Sequence, residues 1–293
     1  MKILLTGKNG QVGWELNRSL SKLATVFAMG RDQMDLSKPE TLRPVIQEIR
    51  PDIIINAAAY TAVDKAESEP ELVMTVNGIA PGVIAEEAQK IGAGMIHYST
   101  DYVFDGKATS PYREEDPISP LSVYGKSKLV GENAVMQAGI PHVIFRTGWV
   151  YSLRGSNFLL TMKKLAQTRN QIKVVDDQIG GPTWARSIAE GTALILEQNL
   201  CASNSSTFPH SGIFHISCGG ETNWFGFAQK ILELSGLTKN VELIPIPTIE
   251  YPTPAVRPQY SLLSNSKLKQ AFDYEMPRWQ EALQECLDST KVT

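Results

Sequence analysis

The chain has 293 residues, 42% hydrophobic and 20% charged, with a formal net charge of −3 at pH 7. That is globular composition, long enough for one large α/β domain or a main domain with a smaller annex, and its weak negative charge excludes a general nucleic-acid or membrane-surface binder. No apolar run reaches the roughly 18 residues of a membrane span.

Residues 2–6 form a short β-rich run that meets glycine too early for a signal peptide. Val12, Leu16, Leu20 and Leu23 recur at helical spacing and predict a helix over 11–23. Residues 25–29 read as a second strand, and 39–49 as a helix with Pro39 in its first turn. Three isoleucines predict a fully buried strand over 52–56. A long helical pattern covers 71–91, with Pro81 as a kink or break inside it. A strand over 94–99, a helix over 122–137 and a strand over 142–146 follow. Strand–helix alternation at this pace predicts an α/β fold, a doubly wound parallel sheet with helices on both faces.

Beyond Tyr151 the rhythm loosens. Helices are expected over 157–168, 187–197 and 224–234, with strands over 172–175 and 213–217. Residues 201–212 are rich in serine and read as an exposed loop. Five prolines predict an irregular connection over 241–258, before closing helices at 267–272 and 279–287. The expected organisation is a dinucleotide-binding domain over 1–150, to which segments near 176–200 and 213–218 return. Residues 151–175 and 219–293 make a smaller substrate-binding part. Cys201, Cys218 and Cys286 are too few and too scattered for a disulfide framework, so inert thiols and a cytoplasmic location are expected. The four histidines show no metal-ligand spacing, and no metal is expected.

Gly7-Lys8-Asn9-Gly10-Gln11-Val12-Gly13 joins the first strand to the first helix. Gly7 permits a tight turn, Gly10 lets backbone approach a pyrophosphate, and Gly13 allows helix to pack closely on strand. The helix N-terminus then offers unpaired N–H groups and a positive dipole end to phosphates. In this strand–turn–helix setting the loop predicts dinucleotide binding. The second strand ends Met29-Gly30-Arg31-Asp32. Arg31 suits a 2′-phosphate and points to NADPH, while Asp32 beside it keeps NADH open. Asp35 and Leu36 are placed to border the adenine.

Tyr124-Gly125-Lys126-Ser127-Lys128 carries the chemistry. Tyrosine and lysine four apart share one helix face. The Lys128 ammonium is expected to lower the Tyr124 pKa and make it a proton donor near neutrality, while Lys128 also holds the nicotinamide ribose. The preceding strand ends His97-Tyr98-Ser99-Thr100-Asp101, where ligands sit in such sheets. Thr100, or Ser99, is expected to polarise a substrate carbonyl, with Asp101 available for a sugar hydroxyl.

Further motifs add to these: Asn56 to Glu67 (NAAAYTAVDKAE), Ser99 to Gly106 (STDYVFDG), Arg146 to Tyr151 (RTGWVY), Asp177 to Thr183 (DQIGGPT) and Tyr251 to Pro258 (YPTPAVRP). Together they resemble the dTDP-4-dehydrorhamnose reductase family of the extended short-chain dehydrogenase/reductase superfamily, over essentially the whole chain. The resemblance implies a Rossmann-like fold and a dTDP-4-keto-6-deoxyhexose substrate reduced at C4. It implies that Gly10, Gln11 and Val12 contact the cofactor phosphates and that Asp35 and Leu36 meet the adenine side. Ala59, Tyr60 and Thr61 would line the cofactor path. Val63, Thr100, Asp101, Tyr102 and Trp149 would meet the sugar, and Arg257 the nucleotide pyrophosphate. Two relatives stay open as alternatives: a sister reductase or synthase leading to a dihydrostreptose-type sugar, and a non-catalytic regulatory subunit of methionine adenosyltransferase. Gly148 stands where the family often has Ser. The family's magnesium-bridged dimer uses acidic residues; here Glu15 is present, but Arg186 and Ser289 occupy the other positions, so a monomer or homodimer without a required metal is expected.

Overall fold

The computed structural model describes residues 1–202, 208, 210–239 and 241–289, and the side chains of 199–202 are outside that description. In chain order the elements begin β1 (Lys2–Thr6), α1 (Gln11–Leu20), β2 (Thr25–Met29), α2 (Leu42–Ile49) and β3 (Ile53–Asn56). They continue α3 (Val63–Ala66), α4 (Pro70–Met74), α5 (Ala80–Ile91), β4 (Gly94–Thr100), α6 (Val123–Gln137), β5 (His142–Thr147) and β6 (Val150–Tyr151). Next come α7 (Phe158–Ala166), β7 (Gln171–Val175), β8 (Ile179–Gly180), β9 (Thr183–Trp184), α8 (Ala185–Ala202) and β10 (Gly212–His215). The last are β11 (Thr222–Asn223), α9 (Trp224–Leu234), β12 (Glu242–Ile246), α10 (Ser266–Phe272) and α11 (Trp279–Asp288).

Six parallel strands form the main sheet in the order β2-β1-β3-β4-β5-β10. Its strands are near-continuous apolar runs because helices cover both faces. Alternate residues divide between the layers. Ile3, Leu5, Ile53, Ile55 and Ile96 pack with Leu16 of α1 and Ile188 of α8. Leu4, Ile54 and Met95 pack with Ile46 of α2, Ile84 of α5 and Val135 of α6. The chain leaves β1 toward β2 on one side and returns past it to β3 on the other. That reversal opens a crevice at the carboxyl ends of the strands.

Four boundaries differ from the sequence expectation. The helix expected over 11–23 ends at Leu20, and α8 runs past the expected 187–197 to Ala202, into the segment read as a serine-rich loop. Residues 203–207 and 209 of that loop lie outside the described residues. The pattern over 71–91 is interrupted not at Pro81 but one turn earlier, by a π-helical turn at Thr75–Ile79. Pro81 sits in the first turn of α5, where no N–H is needed. The proline-rich segment over 241–258 contains a strand: β12 pairs in parallel with β7, Pro245 opposite Val174. This is a two-stranded sheet with free edges, so a proline without an N–H is tolerated there. Among the described residues no helix is long and apolar enough to cross a membrane.

Candidate active site

A cleft of about 990 Å³ lies along the carboxyl ends of the main-sheet strands. At its floor Gly7 has φ +75°, and a Cβ there would lie 2.8 Å from the Ala58 amide nitrogen. A Cβ on Gly13 would lie 2.1 Å from the Gly7 carbonyl oxygen, so only glycine lets α1 seat against the turn. Gly13 therefore packs behind the loop, while Gly7, Gly10, Gln11 and Val12 line the cleft. The N-cap of α1 is Gly10, which has no side chain to satisfy the first-turn amides. These N–H groups and their dipole are free to receive an anionic group such as a phosphate. Gln11 ties the loop to the segment before α7, its Oε1 accepting from Ser152 Oγ (2.9 Å) and Asn157 Nδ2 (2.8 Å).

At the end of β2, Arg31, Asp35 and Leu36 line the cleft and Asp32 does not. Arg31 is 79% exposed and its Nε is 3.4 Å from Asp35 Oδ1. Partial burial pushes the Asp35 carboxyl up, but hydrogen bonds from Ser37 and the Arg31 charge outweigh it and hold it below its ordinary value. Beyond β3, Ala59, Tyr60, Thr61 and Val63 continue the wall. The π turn aims Asn77 inward here, accepting from Tyr60 N (2.8 Å) and donating to Tyr60 O (3.0 Å) and Ser127 Oγ (3.1 Å).

The reactive cluster sits where α6 starts beside the end of β4. Ser122 caps α6 by accepting from Gly125 N at 3.1 Å. A Cβ on Gly125 would lie 2.3 Å from the Tyr102 carbonyl oxygen, so this glycine lets the helix press onto the turn at Asp101–Val103. Thr100 Oγ1 donates to Asp101 Oδ1 (3.0 Å), accepts from Tyr102 N (3.2 Å) and lies beside the Tyr124 hydroxyl. Tyr102 meets the Tyr124 ring edge-on at 5.8 Å.

The electrostatics correct one expectation. The Tyr124 hydroxyl is not lowered by Lys128: burial pushes it up, the nearby Thr100 hydroxyl only partly offsets this, and the Asp101 charge pushes the same way as burial. Lys128 Nζ instead donates to the Tyr98 carbonyl (2.6 Å) and lies 3.4 Å from His97 Nε2. Burial brings the Lys128 amine down to about 8, against the pull of Glu132. Tyr124 is therefore a neutral phenol near neutral pH. Asp101 is pushed up to about 6 by burial, against the nearby hydroxyls of Ser261 and Thr100.

Trp149 lies stacked on Trp224, ring centroids 3.5 Å apart and 4° from parallel, and both line the cleft. Trp149 has φ +50°, and a Cβ on Gly180 would lie 2.5 Å from its ring. Core packing and exposure to the cleft are thus both true of it. Arg257 donates to Asp64 Oδ2 (2.7 Å) and to the Tyr102 hydroxyl (3.3 Å), at the same wall. Gly148 leaves room for a carboxylate, since a Cβ there would lie 2.6 Å from Asp101 Oδ2.

Of the residues assigned from sequence to cofactor, catalysis or substrate, all but Gly13 and Asp32 line this one cleft. Sequence reasoning missed Trp224, Asn77 and Thr147. Trp224 reads as one more apolar residue of an amphipathic helix, and nothing in its spacing marks it. Ser99 Oγ, Asp101 Oδ2 and Thr147 Oγ1 are buried without a partner at the cleft floor. Unsatisfied buried polar atoms are costly, and at the floor of a cleft a polar ligand can satisfy them. The uncapped helix end, the glycine cradle and these atoms fit a dinucleotide beside a sugar. Away from the cleft, Arg186 Nε lies 3.4 Å from Glu15 Oε2. Among the described residues no cluster of three His, Cys, Asp or Glu is arranged to hold a metal.

Comparison with known proteins agrees with this geometry. The RmlD substrate binding domain family matches residues 1–292. A dTDP-4-dehydrorhamnose reductase of Burkholderia thailandensis is 48% identical over 293 residues, covering 98% of each chain. A crystal structure of a dTDP-4-dehydrorhamnose reductase ortholog from Clostridium acetobutylicum superposes with a TM-score of 0.89 at 38% identity, covering 99% of this chain and 100% of that one. The Bacillus anthracis dTDP-4-dehydrorhamnose reductase, solved in complex with NADP, gives 0.90 at 34% identity, covering 98% and 99%. With its cleft, its tyrosine–threonine cluster and matches over nearly its full length, this chain belongs to the dTDP-4-dehydrorhamnose reductase family.

Proposed function

We propose that this chain is an NAD(P)H-dependent oxidoreductase that reduces the C4 keto group of dTDP-4-dehydro-L-rhamnose to give dTDP-L-rhamnose. NADPH is the preferred cofactor, with NADH able to replace it. The observation that carries the reading is the buried Tyr124 hydroxyl beside Thr100, on the floor of a cleft whose far end is the uncapped N-terminus of α1.

When bound, the reduced nicotinamide supplies the hydride that arrives at C4. Gly10, Gln11 and Val12 hold the pyrophosphate at the α1 N-terminus, Asp35 and Leu36 border the adenine, and Arg31 meets the 2′-phosphate. Ala59, Tyr60 and Thr61 line the path between them, and Lys128 secures the nicotinamide ribose. Tyr124 gives its phenolic proton to the keto oxygen. A buried, neutral phenol is the form needed, because a general acid must arrive protonated, and the developing alkoxide is a stronger base than phenolate. Thr100 polarises the same oxygen through its hydroxyl. Asp101 accepts from a sugar hydroxyl, Val63, Tyr102 and Trp149 shape the pocket around the ring, and Arg257 meets the diphosphate. In this reading residues 1–150 bind the cofactor, joined by segments 176–200 and 213–218, and residues 151–175 and 219–293 serve the substrate. The protein acts in the cytoplasm, as monomer or homodimer; buried free thiols at Cys218 and Cys286 suit that compartment.

The test is cofactor oxidation, followed by absorbance, with dTDP-4-keto-6-deoxy-L-lyxo-hexose, and identification of the sugar formed. Formation of dTDP-L-rhamnose confirms the reading. Another product moves it to a sister enzyme, and cofactor binding without turnover rejects it.

A further inference from the structure

A polar row crosses the apolar sheet directly beneath the cleft. Thr6, Asn56 and His97 stand in register on β1, β3 and β4. All three are buried, His97 fully. Thr6 Oγ1 accepts from Ala58 N (3.2 Å) and donates to Asn56 Oδ1 (2.6 Å). Asn56 Nδ2 donates to His97 Nδ1 at 3.1 Å, and His97 Nε2 lies 3.4 Å from Lys128 Nζ. The row begins one residue before Gly7, the first glycine of the phosphate loop, and ends on an amine that lines the cleft. An apolar row would fill the same space without any hydrogen bonds to satisfy, so the sheet has no packing need for these three polar side chains.

We propose that His97 is a positioning residue for Lys128, and that the Thr6–Asn56–His97 chain fixes both the place and the proton of its amine. A lysine stem has four flexible carbons, and holding Nζ costs rotamer entropy unless partners define its place. Two do so here, the Tyr98 carbonyl and His97 Nε2. The polarity of the chain matters as well. Because Nδ1 accepts from Asn56, an uncharged ring carries its proton on Nε2, facing Lys128. An amine lone pair accepts that proton's hydrogen bond, whereas an ammonium has no lone pair. The ring stays uncharged, since burial and the Lys128 charge push it well below its ordinary value. The remaining groups near Lys128 are Tyr124 one turn earlier on α6 and Glu132 one turn later. Glu132 is committed to Arg146 of β5 through both oxygens, at 2.9 and 2.7 Å. Burial already brings Lys128 down, and the Nε2–H of His97, 3.4 Å away, is the neighbouring group placed to add to that bias toward the amine.

This inference rests on the reading of Lys128 as the residue that holds the nicotinamide ribose. The experiment measures kcat, KM for NADPH and the pH profile of kcat/KM for the full-length wild type, His97→Gln, His97→Phe and Lys128→Met, with thermal melting as a control. Glutamine can turn a carbonyl oxygen to Lys128 and so accept from an ammonium. His97→Gln is expected to move the basic limb up by about one pH unit. Phenylalanine offers neither donor nor lone pair, and His97→Phe is expected to lose roughly tenfold in kcat/KM without that upward move. An unmoved basic limb in folded His97→Gln overturns the proposal, and His97→Gln alone decides it where His97→Phe does not fold. Loss of turnover in Lys128→Met with an unmoved limb in His97→Gln removes only the role of His97. Wild-type turnover in Lys128→Met removes the reading of Lys128 itself, and the proposal with it.

Discussion

The two ends of the cleft, assigned by proposal to cofactor and to sugar, are built by opposite means. At the cofactor end the wall comes from short contiguous stretches, 7–12, 30–37 and 57–61, each leaving the tip of one of three adjacent strands. Glycine and alanine backbone forms much of that wall, and the Arg31 guanidinium on it is largely exposed. At the sugar end Thr100, Tyr124, Trp149, Trp224 and Arg257 come from five separate places in the chain and meet through buried side-chain contacts. A general seat for a dinucleotide needs only geometry that backbone supplies. Recognition of one sugar needs specific side chains held by tertiary packing.

Substitutions that separate the two ends test this contrast. Tyr124→Phe keeps the ring against Tyr102 and removes the proton. Turnover is expected to fall about 100-fold or more, with NADPH affinity by fluorescence titration nearly unchanged. Unchanged turnover refutes the acid role. Gly13→Val has the opposite profile. Its Cβ would meet the Gly7 carbonyl, so NADPH affinity is expected to fall roughly 10- to 100-fold, the equivalent of about 1–3 kcal/mol of overpacking. If that variant binds NADPH normally, the phosphate loop is not where the dinucleotide sits.

Trp224→Ala removes the platform under Trp149. KM for the nucleotide sugar is expected to rise about tenfold while KM for NADPH holds, since a stacked aromatic pair is worth up to about 1.5 kcal/mol beyond its buried area. Equal changes in both constants would place Trp149 outside the sugar end. Arg31→Ala should raise KM for NADPH a few-fold and leave NADH unaffected, the modest size reflecting an exposed charge. Equal effects on the two cofactors remove Arg31 as a reader of the 2′-phosphate.

The smallest effect lies away from both ends and serves as a control. Burial pushes the Glu87 carboxyl up, but hydrogen bonds from Lys90, Gln47 and Arg43 outweigh it and hold it down to about 2. A depressed carboxylate stabilises the fold fully above its ordinary value and loses that contribution as pH falls. Glu87→Gln should therefore melt lower than wild type at pH 7, with the gap closing as the pH approaches 2. Neither cofactor nor sugar KM should move. A gap that persists into acid would assign the effect to packing rather than charge.

The sequence by itself determined the parallel sheet, because strands buried on both faces must be continuously apolar, as Ile53 to Ile55 are. It also determined the glycine loop, since Gly13 answers to the Gly7 carbonyl six residues before it, although the clash that requires glycine at position 7 is with Ala58 of the neighbouring strand end. The pairing of Tyr124 with Lys128 was legible for the same reason, a helix fixing residues four apart. Long-range contacts decided the rest. The Lys128 amine is held by β4 and does not lower Tyr124, so Tyr124 is a neutral phenol. The proline-rich segment gains a strand because β7 offers it an edge. Trp224 enters the cleft only because α9 brings it flat against Trp149, more than seventy residues earlier in the chain. Local spacing carries no information about such meetings, because their free energy comes from burying surfaces that the fold alone brings together.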